Sequence, residues 1–440
     1  MAQRYGQIIL AAGLAVLTAA SASVVSAQST YGCTNLAGRH NLPSVEGVNG
    51  FFFPIDPDLR LFHSISEQSI AELAVLSDAL KEAGTVLIYA PVPTRALAMP
   101  GRLPHIARDY GFKPDLAATV YDDTIRRLTR AGVHGVNVRR ALRLSENETP
   151  PFFATDPRLT PAGAQRLANA IAAKMSQTDG FAALPKAGFA TQAGAVETWP
   201  STNRAILQRH CALKLPEVRA PGYITTKTRA AAQGTDTSIF ANQTSGARIA
   251  LVGSDVTGSP VSNLSGFLSQ ATGFDVVKYS VPEGGSFAAI SSYLTSSAFG
   301  DARPAYLVWT NPISNNLAQY GDQPLRELTA AARGACRVSV PFTGGRQVFT
   351  IRADLGGLAV RPSNTLFVDA DGAPASEAWF DFYSPAGLLR SKVVVRHPEQ
   401  VKTGRFYVPF SGLWRDGVQS VDISLDVAFG PDTRVSLCFE

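Results

Sequence analysis

The spacing of apolar positions changes character along the chain. Between residues 66 and 83, Ile70, Leu73, Leu76 and Leu80 fall on one helical face, and residues 116–131 read as helix again, with Asp122 and Asp123 one turn before Arg126 and Arg127. Continuous apolar runs at 86–90, 249–252, 274–277 and 305–309 read as strands buried on both faces. Alternation of such strands with helices predicts an α/β fold, a mostly parallel sheet with helices on both faces. A further short strand is expected at 132–138. At 160–161, Thr160 has the chemistry of an N-cap and Pro161 that of a first helical residue. Residues 176–245 are rich in Ala, Gly and Thr with weak patterning, and read as a long insertion. Beyond Cys336 short strand candidates recur at 338–342, 348–351, 366–368, 378–383, 392–395, 405–408 and 421–425, separated by turn signals. That texture predicts an all-β sandwich.

The 440 residues suffice for two domains, expected at 28–334 and 335–440. Ahead of them, residues 1–27 carry Arg4, an apolar run from Ile8 to Ala20 and the small-residue end Val25-Ser26-Ala27, as in a cleaved secretory signal peptide. No later stretch reaches the roughly 20 apolar residues that span a bilayer, so the expectation is an exported chain without a transmembrane segment. The net charge of +5 suits an anionic polysaccharide, but no Lys/Arg cluster supports a nucleic-acid partner. Four cysteines, Cys33, Cys211, Cys336 and Cys438, allow three pairings. Export favours disulfides over thiols, and spacings of more than a hundred positions argue against a metal site. Neither a metal nor another cofactor is expected.

Two segments carry candidate chemistry. Leu251-Val252-Gly253-Ser254-Asp255 runs an apolar strand into a Gly-Ser turn, at the strand end where parallel sheets bind ligands. The second, Phe152-Phe153-Ala154-Thr155-Asp156-Pro157-Arg158-Leu159-Thr160-Pro161, is a turn that opens a helix. They occur in order with Gly47-Val48-Asn49-Gly50-Phe51, Pro91-Val92-Pro93-Thr94-Arg95, Gly266-Phe267-Leu268, Glu283-Gly284-Gly285-Ser286-Phe287 and a strand ending in Trp309. The set resembles the AlgX/AlgJ-like family of alginate O-acetyltransferases, which carry an SGNH hydrolase-like domain; AlgX-like members end in a carbohydrate-binding-module-like sandwich. The resemblance implies a periplasmic protein of exopolysaccharide O-acetylation or export, with an anionic, alginate-like polymer and periplasmic assembly and acetylation proteins as partners. It also implies the pairing Cys33–Cys211 and Cys336–Cys438, which keeps each bridge within one expected domain.

The resemblance places the family's catalytic Ser at Asp255, its His at Arg158 and its Asp at Asp156, while Thr310 stands where a Glu usually follows the Trp. Acyl transfer to a sugar hydroxyl needs an activated oxygen nucleophile, a base and oxyanion donors, and the first two are replaced. None of the six histidines lies in a turn resembling the second motif. Since the family's Ser and His lie within hydrogen-bond reach, Asp255 and Arg158 are expected to form a fork, with Asp156 sharing the guanidinium. A catalytic dyad then becomes a structural ion pair. The alternative is an active O-acetyltransferase that uses Ser254 with a base from elsewhere. In the sandwich, Trp379, Tyr383 and Trp414 are candidates for stacking on sugar rings. Arg405, with Arg390, Lys392, Lys402 and Arg415, is a candidate to meet uronate carboxylates. Trp414 is expected to be the most exposed of the aromatics. The leading reading is a polymer- or partner-binding protein with a degraded acyltransferase site.

Overall fold

The computed structural model describes residues 29–61, 64–229, 248–344 and 348–439; the expected signal peptide lies outside them. A short antiparallel hairpin, β1 (Ser44–Glu46) with β2 (Phe52–Pro54), opens the described chain. The helix Glu67–Glu82 follows, capped by Ser66, whose Oγ accepts from Ser69 N at 3.0 Å. It leads into β3 (Val86–Val92). The strand expected at 132–138 shrinks to β4 (His134–Gly135). Asn137 ends it by capping the helix Val138–Leu142, with Oδ1 accepting from Arg140 N at 3.0 Å.

The weakly patterned insertion holds a two-stranded antiparallel ribbon, β5 (Gly188–Thr198) with β6 (Arg219–Arg229). Much of it is exposed on both faces, so its residues have no inside to alternate towards. Three further strands, β7 (Arg248–Gly253), β8 (Asp275–Ser280) and β9 (Tyr306–Pro312), complete a five-stranded parallel sheet in the order β4-β3-β9-β7-β8. Strand residues alternate between two cores. Ile88, Leu251 and Val308 pack with the helices Pro161–Met175 and Leu264–Thr272. Tyr89, Val252 and Trp309 pack with Glu67–Glu82, Ala288–Leu294 and Gln323–Arg333.

The C-terminal region is built of antiparallel strands: β10 (Cys336–Ser339), β11 (Phe342–Thr343), β12 (Thr350–Asp354), β13 (Thr365–Asp369), β14 (Glu377–Tyr383), β15 (Leu389–Val395), β16 (Arg405–Pro409), β17 (Ser420–Leu425) and β18 (Arg434–Cys438). They form two sheets, β10-β18-β13-β16 and β11-β12-β17-β14-β15, around a core that includes Phe380, Phe382 and Phe406. Disulfides join Cys33 to Cys211 and Cys336 to Cys438, and the second ties β10 to β18 across 102 positions. Closing a loop of that length stabilises by roughly 4–5 kcal/mol in the chain-entropy view. The sandwich is fixed to the α/β unit by a buried ion pair: Arg396, just after β15, meets Glu327 of the helix Gln323–Arg333 at 3.0 Å through Nη1, and the same nitrogen donates to Ser291 Oγ at 2.7 Å. No helix among the described residues is long and apolar enough to cross a membrane.

At the carboxyl end of β7, Gly253 lets two threonines close beneath the turn. A Cβ there would stand 2.3 Å from Thr310 Oγ1 and 2.5 Å from Thr257 Oγ1. Gly253→Ala should therefore cost about 1–3 kcal/mol by overpacking. Gly101→Ala, with open space at its Cβ, should leave the melting temperature unchanged; equal melting temperatures for the two variants would refute the close approach.

Candidate functional site

The backbone sets the Asp156 turn before any side chain acts. Phe152 bridges Leu159, Phe153 N donates to Arg158 O at 3.3 Å, and Thr160 N donates to Pro151 O at 2.9 Å. Thr160 caps the following helix as expected, accepting from Gly163 N at 3.1 Å. Gly163 makes room for the returning chain, since a Cβ there would lie 2.2 Å from Pro151 O. From outside the turn, Phe52 N donates to Ala154 O at 2.9 Å.

Asp156 is buried by this arrangement and filled by Arg158. Oδ1 accepts from the backbone N and the Nε of Arg158 at 2.9 and 2.8 Å, and Oδ2 accepts from Nη2 at 2.8 Å. Nη2 also donates to Pro200 O at 2.6 Å, which draws the insertion onto the turn. Burial pushes the Asp156 carboxyl up, but the hydrogen bonds from Arg158 and Ser201 outweigh it and hold the pKa below its ordinary value. A second buried pair stands behind the first. Arg95 donates from Nε to Asp58 Oδ2 and from its backbone N to Oδ1, each at 3.0 Å, and its Nη1 reaches the Asp156 carbonyl at 3.4 Å. The Pro-Val-Pro-Thr-Arg turn announced Arg95 in the sequence. Asp58, 37 positions earlier, had no motif to announce it.

The strand β7 brings in the other half. Ser254 precedes the four-residue helix Asp255–Gly258, and its carbonyl accepts from Thr257 N and Gly258 N at 3.0 Å each. Its side chain is buried. Asp255 is exposed, and its Oδ2 accepts from Glu283 N at 3.3 Å. The two halves adjoin: Ser262 Oγ donates to Leu159 O at 2.8 Å, and Phe153 packs with Val261. The fork expected between Asp255 and Arg158 is nevertheless not formed. Arg158 closes on Asp156, two residues away and buried, where an unpaired carboxylate would be costly. Asp255 keeps its hydration and needs no cation.

No imidazole hydrogen-bonds to Asp156, Ser254 or Asp255 among the described residues, and His63 lies outside them. Thr310, expected where the family usually has Glu, is buried and bonded to Thr257 Oγ1. Its neighbour Asn311 donates to Tyr89 OH at 3.1 Å and to Asn315 O at 3.2 Å. No group of His, Cys, Asp and Glu suited to a metal ion is found among the described residues.

The four sandwich candidates do not form one site. Trp379 and Tyr383 stand on the outer face of the five-stranded sheet, as strand alternation requires. Trp414 is half-buried against the sandwich core, with the Arg390 guanidinium 5.2 Å from its ring centroid, so Trp379, not Trp414, is the more exposed. Arg405 lies in the other sheet, paired with Asp369 at 3.3 Å and donating to Thr295 O at 3.3 Å across the domain junction. Arg390 donates to Gly412 O, and Lys392 to Ser411 O and Pro409 O; burial pushes the Lys392 ammonium down to about 8. Three cations expected to meet a polymer thus close the protein's own loops.

A model of the family described as "SGNH hydrolase-like domain, acetyltransferase AlgX" matches residues 45–313. The alginate biosynthesis protein AlgX of Pseudomonas aeruginosa is 28% identical over 275 residues, covering 62% of this chain and 56% of that protein. The probable alginate O-acetylase AlgJ of Pseudomonas syringae pv. tomato is 27% identical over 270 residues, covering 59% and 66%. These sequence matches thus span little more than half to two thirds of the relatives' length. In structure, Pseudomonas aeruginosa AlgX superposes with a TM-score of 0.76 at 23% identity, over 92% of this chain and 99% of that one. The O-acetyltransferase domain of Pseudomonas putida AlgJ gives 0.51 at 22% identity, over 65% and 98%. These two likenesses establish the fold.

Removing the guanidinium should reverse the sign of the Asp156 shift. In the wild type the depressed carboxyl contributes stability that is present above its ordinary pKa and fades as pH falls through the lower folded value. In Arg158→Ala burial acts with its main opponent gone, so the carboxyl rises. The variant should lose about 3–5 kcal/mol at neutral pH, and the deficit should shrink as acid protonates Asp156. Melting temperatures measured from neutral to mildly acidic buffer test this; a deficit that is absent, or independent of pH, would refute the pair.

Proposed function

This chain belongs to the AlgX family of SGNH hydrolase-like acetyltransferase domains, and we propose that it serves exopolysaccharide O-acetylation or export in the periplasm by binding polymer or partner proteins, its own acyltransferase site being degraded. The observation that carries this reading is the bidentate closure of Arg158 on Asp156. A guanidinium has no lone pair to accept a proton, so the group at the family's His position cannot act as a base. At the family's Ser position a carboxylate would yield a mixed anhydride, which water destroys quickly. The two disulfides favour an oxidising compartment, in keeping with the periplasm. The relatives' names carry alginate biosynthesis and alginate O-acetylation, which makes an alginate-like polymer the first ligand to try.

Turnover of a chromogenic acetyl ester by the mature chain should be no faster than that of Ser254→Ala or Asp255→Ala at matched purity. Activity abolished by Ser254→Ala alone would overturn the reading in favour of a working transferase whose nucleophile has moved by one residue.

A further inference from the structure

A cleft of ≈ 500 Å³ lies between the two domains, within the roughly 300–1,000 Å³ usual for small-ligand sites. One wall is the loop from Glu283 to Phe287, a second is the start of the helix Gln323–Arg333 with Tyr320 before it, and the third is Val393–His397 at the end of β15. The loop is held in place by Trp309, whose Nε1 donates to Ser286 O at 3.2 Å, and it touches the acyltransferase turn where Glu283 N donates to Asp255. The cleft thus starts beside the position of the family nucleophile. At its other end it opens onto the outer face of the sandwich, because Val393 and Val395 stand opposite Trp379 and Glu377 in the β14–β15 register.

The lining is aromatic and amidic rather than cationic. Its formally charged residues are Glu283, Glu327 and Arg396, and the last two neutralise each other. Gln323 Nε2 is buried there without a hydrogen-bond partner, a donor that folding has desolvated and left free.

The sheet face that continues the cleft is acidic. The register puts Arg352, Asp422 and Asp381 side by side across β12, β17 and β14. Asp354 and Glu377 share the face, as do the rings of Trp379 and Tyr383. Among the described residues four carboxylates therefore meet one guanidinium on this face, and that guanidinium is engaged: Arg352 pairs with Asp422 at 3.2 Å and lies 5.0 Å from the Tyr383 ring centroid. Like charges directly opposite in a sheet oppose folding, yet Asp381 and Asp422 are so placed. The nearby cations of β15, Arg390 and Lys392, bind backbone carbonyls of the sandwich itself.

We infer that the interdomain cleft and the Trp379–Tyr383 face form one glycan-binding track that accepts sugar rings without negative charge, amine-bearing rings foremost, and disfavours uronates. This rests on the polymer-binding reading and changes the class of polymer. Aromatic rings supply the stacking platform, Gln323 supplies a donor for a ring hydroxyl, and the carboxylates repel a polyanion while attracting ammonium groups.

The test is calorimetric titration of the mature chain with three hexamers at low and moderate salt: β-linked glucose, β-linked glucosamine and a uronate. Glucosamine should bind tightest, glucose next, and the uronate about tenfold or more weaker than glucose; moderate salt should narrow this spread. Trp379→Ala should weaken glucose binding roughly tenfold. Gln323→Leu should weaken it with the melting temperature unchanged, because in the free protein that donor holds nothing. Neutralising the face with Glu377→Gln and Asp381→Asn together should raise uronate affinity. A uronate that binds as tightly as glucose would overturn the inference and leave the polymer-binding reading standing. If no hexamer binds, polymer binding falls, and the inference with it.

Discussion

Every carboxylate buried among the described residues is met by an arginine. Asp58 has Arg95, Glu72 has Arg326, Asp156 has Arg158, Glu327 has Arg396, and Asp369 has Arg405 and Arg434. The rule follows from the cost of desolvating an ion, which a partner at hydrogen-bond distance offsets and its removal exposes. Here it governs more than local stability. Asp58 and Arg95 brace the Asp156 turn, Glu72 and Arg326 join two helices on one side of the sheet, and Glu327 and Arg396 lock the sandwich onto the α/β unit. The same requirement recurs at the loop, the layer and the domain.

On the reading proposed above, it also accounts for Arg158 at the position expected for the family's His. A buried Asp156 needs a cation or a strong donor, whether or not catalysis continues. In the family arrangement a His meets that need and, with its second nitrogen, can serve a nucleophile. An Arg at that position meets it with the Nε–Nη2 edge of its guanidinium and its own backbone N–H, and has no lone pair that can accept a proton. Asp255, exposed on the neighbouring turn, cannot compete for that cation. The pairing that two replaced residues suggest on paper loses to the pairing that burial demands.

Local features were legible in the sequence. Thr160 caps its helix because a hydroxyl before a run of free N–H groups finds a donor whatever the tertiary context. The sheet strands read correctly as unbroken apolar runs. Three things were not legible. The β5–β6 ribbon has little hydrophobic face to betray it. The strand β18 was overlooked because Arg434, Val435, Ser436, Leu437 and Cys438 follow directly on a Gly-Pro-Asp turn at the chain's end. The destinations of Arg390, Lys392 and Arg405 depended on which loops came within reach, and that is decided by tertiary packing alone.

That last failure bears on specificity. Net charge, and even the sign of charge within a segment, describes what the chain carries and not what it presents. Residues 377–405 contain five Lys and Arg side chains, Arg390, Lys392, Arg396, Lys402 and Arg405, a composition suited to a polyanion. Folding gives Arg390, Lys392, Arg396 and Arg405 protein acceptors and leaves Glu377, Asp381 and their neighbour Asp422 on the outer face beside Trp379. By register Arg390 and Lys392 stand with Phe382 and Phe380 on the inner side of the sheet, where long aliphatic stems carry their heads to backbone carbonyls, whereas Glu377 and Asp381 alternate outward. Strand alternation thus sorts these cations and anions to opposite sides of the sheet. On the glycan-track reading proposed above, that sorting, which only the fold reveals, selects the polymer.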